Sequence, residues 1–403
     1  MSAIPFDNAS DILKHLPVKS LLRFRCLSKA YCSLIDSRDF TNLHLSQSKS
    51  TNTNRFLFIA QTDLQQVNNK TYIMNLDSPD YQHVEFDHPF SVSSESSLGD
   101  KTDSYHLDHL KNVVIFGSCN GLIALYHPVQ GMLLWNPSTK KQQKLPNFWG
   151  PDHKIHSSDH LLDGFGYDPV SDDYKLIRIR TANDEREKRS RAMVYSVKHN
   201  CSRRMEDFPY DVHQSRNWGT LVGSCLHWIV YEPDDYVYDH DKLIVAFNLE
   251  DERFGRVPIP DVLKSEDHCL IELGEVGGCL SMCTDVNDDM SVEIWVMKEY
   301  GIRESWIKIF SEFRGKVGMS FYWLPSHVKP IGYSKKGDRL LFDVHSCLLV
   351  GYDLREEEEN QTSECQPRKR IHRIGNLGDD GEIKWNYALK CVTSLVPLNF
   401  NAN

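Results

Sequence analysis

A short phrase recurs along most of this chain at intervals of about fifty residues, and that interval limits the folds open to it. Gly117-Ser118-Cys119-Asn120-Gly121-Leu122-Ile123 returns as Gly223-Ser224-Cys225-Leu226-His227-Trp228-Ile229, and more loosely as Gly277-Gly278-Cys279-Leu280-Ser281-Met282. Leu134-Trp135-Asn136-Pro137 is matched by Ala246-Phe247-Asn248-Leu249, and Leu145-Pro146 by Ile259-Pro260. Gly166-Tyr167-Asp168 and Gly332-Tyr333-Ser334 open two further units. Anchors at 117, 166, 223, 277 and 332 give steps of 49, 57, 54 and 55 residues. Each step holds roughly four short apolar runs, the size of a propeller blade. Asn120-Gly121 between two such runs is a hairpin signal, because both residues accept positive φ. One four-stranded sheet cannot bury both its faces, so the blades must stack radially. Counting an irregular unit from residue 55, the expectation is a mainly β chain with about six blades. Residues 388–397 would return to pair with the first blade and close the ring. The alternative is an open pair of β-sandwiches.

The first forty-five residues have a different texture. Apolar residues recur at Ile12, Leu13 and Leu16, then at Leu21, Leu22, Phe24, Cys26 and Leu27, then at Tyr31, Leu34 and Ile35. Spacings of three and four place them on one stripe of each of three or four short helices. Pro5 marks the entry to the first helix, Pro17 sits just inside the second, and Ser28 is placed to cap the third. A unit this small forms only a thin core, and it carries more large apolar side chains than such a core needs. It should dock onto a partner. Residues 46–54 turn to Ser, Thr, Asn, Gln and Lys and read as a short linker. The expected organisation is thus a helical module at 1–46, a linker at 47–54 and the β-domain at 55–398.

The wording of the module is familiar. Ile4-Pro5, the run Leu16-Pro17-Val18-Lys19-Ser20-Leu21-Leu22-Arg23-Phe24-Arg25-Cys26-Leu27-Ser28-Lys29, Ser33-Leu34-Ile35 and Phe40 resemble the F-box of plant F-box proteins. The β-region has its own resemblance. Ser118-Cys119-Asn120-Gly121-Leu122, Trp135-Asn136-Pro137-Ser138-Thr139, Gly164-Phe165-Gly166-Tyr167-Asp168 and Asp172-Asp173-Tyr174-Lys175-Leu176 are similar to the kelch-like F-box-associated domain. So are Leu226-His227-Trp228 and the run from Ile294-Trp295 to Tyr300-Gly301, followed by Glu304-Ser305-Trp306.

The two resemblances span residues 4 to about 397. They imply a specificity subunit of an SCF-type cullin–RING ubiquitin ligase. Its F-box would hold a Skp-type adaptor, and through it the cullin and RING subunits, while its β-domain captures a target protein for ubiquitination and degradation. Relatives of this type include pollen self-incompatibility factors and repressors of immune-receptor accumulation. The adaptor-facing residues implied are Pro5, Leu13, Leu16, Pro17, Leu21, Leu22, Cys26, Leu27, Tyr31, Leu34 and Ile35.

Charge and composition exclude other classes. The net charge of −10 argues against a general nucleic-acid binder, whose footprint is basic. Within residues 1–45, six Lys or Arg stand against four Asp, which leaves the module at +2 and the remainder at −12. That asymmetry suits an acidic partner. Eleven scattered cysteines without C-x-x-C pairs read as buried, reduced thiols. No apolar leader opens the sequence and no run approaches eighteen apolar residues, so neither secretion nor membrane insertion is expected. A cytoplasmic or nuclear location is.

No catalytic set emerges, and no metal or other cofactor is expected. Asp152, His153, His156, Asp159 and His160 have ligand-like spacing, but they lie in a polar stretch that reads as a solvated loop. Asp285, Asn287 and Asp289 begin like a calcium loop, yet Met290 replaces the turn glycine and Val296 the bidentate Glu. Cys119 repeats at Cys225 and Cys279, which marks a blade position rather than a nucleophile. The target surface should be built from inter-strand loops on one rim, with Tyr231, Tyr236, Tyr238, His156 and His160 as its candidates. Two other functions fit the same chain less well: a propeller scaffold acting without ubiquitination, and a metal-dependent propeller enzyme.

Overall fold

Four helices open the chain: α1 (Phe6–Leu13), α2 (Val18–Phe24), α3 (Lys29–Asp36) and α4 (Arg38–Ser50). The structure is a computed structural model. It describes residues 6–62, 69–78, 81, 83–86, 89–90, 113–127, 130–146, 160–181, 190–205, 208–212, 216–232, 242–264, 268–286, 291–313, 328–344, 348–354, 371–374 and 387–398. Ser28 caps α3 as its spacing predicts, its Oγ accepting from Tyr31 N at 3.2 Å. Ser37 does the same for α4 through Phe40 N at 3.2 Å. Pro17 takes the N-cap of α2 rather than an interior position. Pro5 lies outside the described residues.

The polar stretch read as a linker is instead the last turn of α4 and a tight turn. Its composition is polar because its bonds are local. Thr51 N and Oγ1 both donate to Gln47 O, and Asn54 Nδ2 donates to Ser48 Oγ at 2.9 Å. Asn52 and Asn54 adopt φ of 51° and 59°, a region that Asn tolerates better than most residues.

Beyond the turn, the described strands form six sheets. Blade one pairs Tyr387–Val392, Arg55–Thr62, Asn69–Asn75 and His83–Phe86, in that order from the inside. Its innermost strand therefore comes from the far end of the chain, with Phe56 opposite Cys391 and Ile59 opposite Ala388. Blade two runs Val114–Cys119, Leu122–His127, Gly131–Asn136 and Lys141–Leu145. Blade three has His160–Asp168, Asp173–Thr181, Ser190–Ser196 and Cys201–Arg204, and Arg216–Trp218 runs parallel to the first of these. Blade four has Thr220–Val222, Cys225–Tyr231, Lys242–Asn248 and Phe254–Val257. Blade five has His268–Val276, Cys279–Val286, Ser291–Met297 and Trp306–Phe313. Blade six has Val328–Tyr333, Arg339–Val344, Leu348–Asp353 and Ile371–Arg373.

The apolar side chains show why these sheets form a ring and not a sandwich. Along Leu122–His127, Ile123 and Leu125 enter the core shared with blade one, while Leu122 and Ala124 enter the core shared with blade three. Both faces of the strand are buried, so its sequence reads as an unbroken apolar run and not as an alternation. Equivalent cores join blades three and four, four and five, five and six, and six and one. The cycle has no unpaired face, which rules out the open sandwich pair. The five sequence anchors all fall where an inner strand meets its first hairpin. Blade one lacks an anchor because its inner strand arrives last.

That arrangement defines two rims. The near rim carries the turns after Cys119, Asp168, Val222, Val276 and Tyr333. At the far rim the second strands end, at His127, Thr181, Tyr231, Val286 and Val344.

Candidate partner-binding surfaces

The helical module spends part of its apolar content on itself. Ala9, Leu13, Leu21, Ile35 and Phe40 are buried together, with Leu16, Phe24, Tyr31 and Leu34 packed at their margin. Leu13, Leu21 and Ile35, expected to face an adaptor, are instead the module's own core, because three short helices need that many large side chains to enclose a centre. Pro17 and Cys26 are exposed, and Leu22 is half-buried. Leu27 stands 65% exposed and Ile12 51%, with Leu43 at 38%. Ile12 and Leu43 were missed as surface residues: Ile12 lies in the same apolar repeat as Leu13, and only the turn of α1 separates the two. Exposed Lys19, Arg23 and Lys29 share α2, α3 and their junction with Leu27, and Arg25 pairs with Asp36 at 2.6 Å. Around Leu27 the open surface is thus apolar with basic neighbours, while Ile12 stands beside the exposed ion pair of Asp11 and Lys14.

The module is fastened to the near rim. Leu45 of α4 enters the core between blades two and three. Lys49 Nζ donates to Asn120 Oδ1 at 2.7 Å, and Asn120 Nδ2 donates to Tyr174 OH at 3.1 Å. Arg38 forms an ion pair with Asp172, which also accepts from Tyr167 OH at 2.6 Å. Burial and the Asp172 carboxylate together push the Tyr167 phenol up to about 12. Inside the module, His44 Nε2 meets Leu16 O at 2.9 Å, and burial lowers its pKa.

The chain after the closing strand completes the clasp. Asn136 Nδ2 donates to Ser394 O at 3.2 Å and to Val396 O at 2.9 Å. Val396 and Leu398 pack beside Leu45, and Leu395 packs against the module's core. Gly121 serves two needs here. Its φ is 81°, and a Cβ at that position would collide with Ser394.

On the far rim, the expected target residues separate. His160 begins the inner strand of blade three and is half-buried. Tyr231, expected on the target surface, is instead packed in the sheet at 9% exposure, exchanging backbone hydrogen bonds with Asp211 at 2.9 and 3.0 Å. An aromatic at the end of a blade strand is drawn inward by the neighbouring core. His156, Tyr236 and Tyr238 lie outside the described residues. The cysteines of the repeat sit at blade positions. Burial pushes the Cys119 thiol up to about 11 and raises that of Cys225, the opposite of what a nucleophile needs. Among the described residues, no group of three His, Cys, Asp or Glu is placed to hold a metal ion, and no helix is long and apolar enough to cross a membrane.

Both parts of the chain have counterparts among known proteins. The family model of the F-box associated beta propeller domain matches residues 72–322, and that of the F-box domain matches residues 1–43. The chain belongs to the F-box family. This F-box protein is 30% identical to F-box protein CPR1 of Arabidopsis thaliana over 89% of its own length and 84% of that protein. It is 28% identical to an F-box/kelch-repeat protein of the same plant, over 76% of its length and 79% of the relative's. Among solved structures, an oligogalacturonate lyase in complex with manganese aligns at 11% identity and a TM-score of 0.38, covering 76% and 72% of the two chains. That likeness is too remote to bear on the F-box protein's chemistry.

Proposed function

We propose that this F-box protein is the substrate-recognition subunit of an SCF-type ubiquitin ligase, with the helical module docking on a Skp-type adaptor and the propeller capturing a protein for ubiquitination. The observation that carries the reading is the exposure of Leu27 and Ile12 on a module whose own core is already filled. Large apolar side chains left in water beside basic residues favour an acidic partner with an apolar groove. Apolar burial at about 25 cal/mol per Å² supplies the gross energy of such an interface. The F-box protein contributes no bond-making group in this scheme. It acts by proximity, holding a target lysine near a ubiquitin-charged enzyme carried by other subunits.

The clasp of α4 and the chain terminus supports a fixed separation between adaptor and target, with the target on the far rim, away from the helices. The test uses surface residues so that folding is spared. Ile12→Asp with Leu27→Asp is expected to abolish adaptor pull-down while the far-ultraviolet circular dichroism is unchanged. Undiminished pull-down from the double variant sinks the docking surface. Leu21→Ala is unsuited to this test, because a buried Leu→Ala change costs about 2–5 kcal/mol and loosens the module itself.

A further inference from the structure

The inner strands enclose a cavity of about 650 Å³ on the propeller axis, reaching from the interior of the ring to the C-terminal end of α4. Its charge runs against that of the protein. Lys49, Arg55, Lys329 and Lys390 line it, and Glu275 is the one carboxylate among the lining residues described, in a chain whose net charge is −10.

Two of the four cations are committed. Arg55 is held by Asp77 and by Tyr333 O at 2.6 Å, and Lys390 forms an ion pair with Glu275. The other two are held more loosely. Lys329 Nζ forms a long ion pair with Glu272 at 3.7 Å and lies 4.6 Å from the centre of the Trp218 ring, a cation that can turn to a ligand without breaking a short hydrogen bond. Among the described residues Lys49 gives one hydrogen bond, to the neutral Asn120 side chain, which leaves two of its three donors. A cleft lined with one sign of charge and walled by low-dielectric protein focuses its field on whatever enters. Phe165, Trp218 and Tyr333 supply apolar wall, and the volume is that of a site for a small organic molecule.

We propose that this cavity binds a small organic anion bearing phosphate or carboxylate groups. Lys329 seats the anionic group beside the Trp218 ring, and Lys49 at the mouth draws the ligand in. Because the wall includes Ser48 and Asn52 at the end of α4 as well as the inner strands, the ligand bridges the helical module and the ring. The site goes beyond adaptor docking and does not depend on it.

The experiment follows thermal unfolding of the full chain in pyrophosphate, in citrate, and in sodium chloride at matched ionic strength. A rise in Tm of about 2 °C or more over chloride is expected, and the probe that acts tells phosphate from carboxylate preference. Lys329→Gln should remove most of the rise, and Lys49→Gln, which loses the charge but keeps an N–H donor for Asn120, should reduce it in a chain whose circular dichroism is unchanged. Adaptor pull-down should be unchanged in both variants. No rise beyond chloride overturns the proposal. So does an equal rise in wild type and both variants, which marks an adventitious surface ion only.

Discussion

His227 lies 1% exposed in the second strand of blade four. Its Nδ1 meets Thr220 O at 3.0 Å, so that nitrogen carries the proton, and its Nε2 accepts from Tyr300 OH at 2.7 Å. Burial lowers its pKa to about 4. In the folded chain the imidazole therefore stays neutral where the unfolded chain, near pKa 6.5, takes up a proton. Stability is fully present above pH 6.5 and falls as the pH drops towards 4, with about 2 kcal/mol lost from this group between pH 7 and pH 5. Urea midpoints at the two pH values should show this loss, and His227→Gln should flatten it by that amount. A variant whose midpoint falls in parallel with wild type would assign the acid sensitivity elsewhere, for instance to His44, which burial shifts the same way. The sequence marked His227 only as a member of a repeated phrase. Its state is set by burial, and Tyr300, which stands seventy-three residues further on, supplies the partner of its Nε2.

At the scale of elements, α4 and the terminal segment depend on each other. The helix is polar over most of its length, so its apolar pattern announces no partner. Leu45 finds its neighbours in Val396 and Leu398, at the other end of the chain. Asn136 holds that segment by two carbonyls at once, and it is fully buried. Asn136→Ala is expected to cost about 1–3 kcal/mol, since it strands two buried acceptors. It should also speed limited proteolysis around residues 51–54 and 393–398, while adaptor pull-down persists. Unchanged cleavage at both places would show that the apolar contacts hold the clasp without Asn136. Asp172 makes a related point. It sits in a hairpin turn with φ of 53°, a conformation Asp tolerates, yet its carboxylate also holds Arg38 of α4.

Over the whole molecule, the ring depends on its last strand. Tyr387–Val392 supplies the inner edge of blade one, and Cys391 and Ala388 fill the two cores that flank that blade. A chain ending at residue 386 exposes Phe56, Leu57, Phe58 and Ile59 along an unpaired edge, a template for association. It should elute from size exclusion as aggregate and lose its near-ultraviolet circular dichroism. A chain ending at residue 392 should keep a monomeric ring with a loosened helical module. A monomeric, native-like 386 variant would mean that five blades and a three-stranded sheet suffice.

The sequence alone determined the blade, its length and the approximate number of blades. Those follow from turn chemistry and unbroken apolar runs, which are local, so Asn120-Gly121 and Leu122-Ile123 speak for themselves. It determined the helical module and its Ser28 cap for the same reason. The tertiary structure decided which leucines of that module were left over, turning Leu13 and Leu21 inward and Leu27 outward. It decided too that the polar stretch at 47–54 continues a helix, and that four cations meet on the propeller axis. Each of these depends on residues brought together across long stretches of chain, and the spacing of neighbours along a sequence carries no record of such contacts.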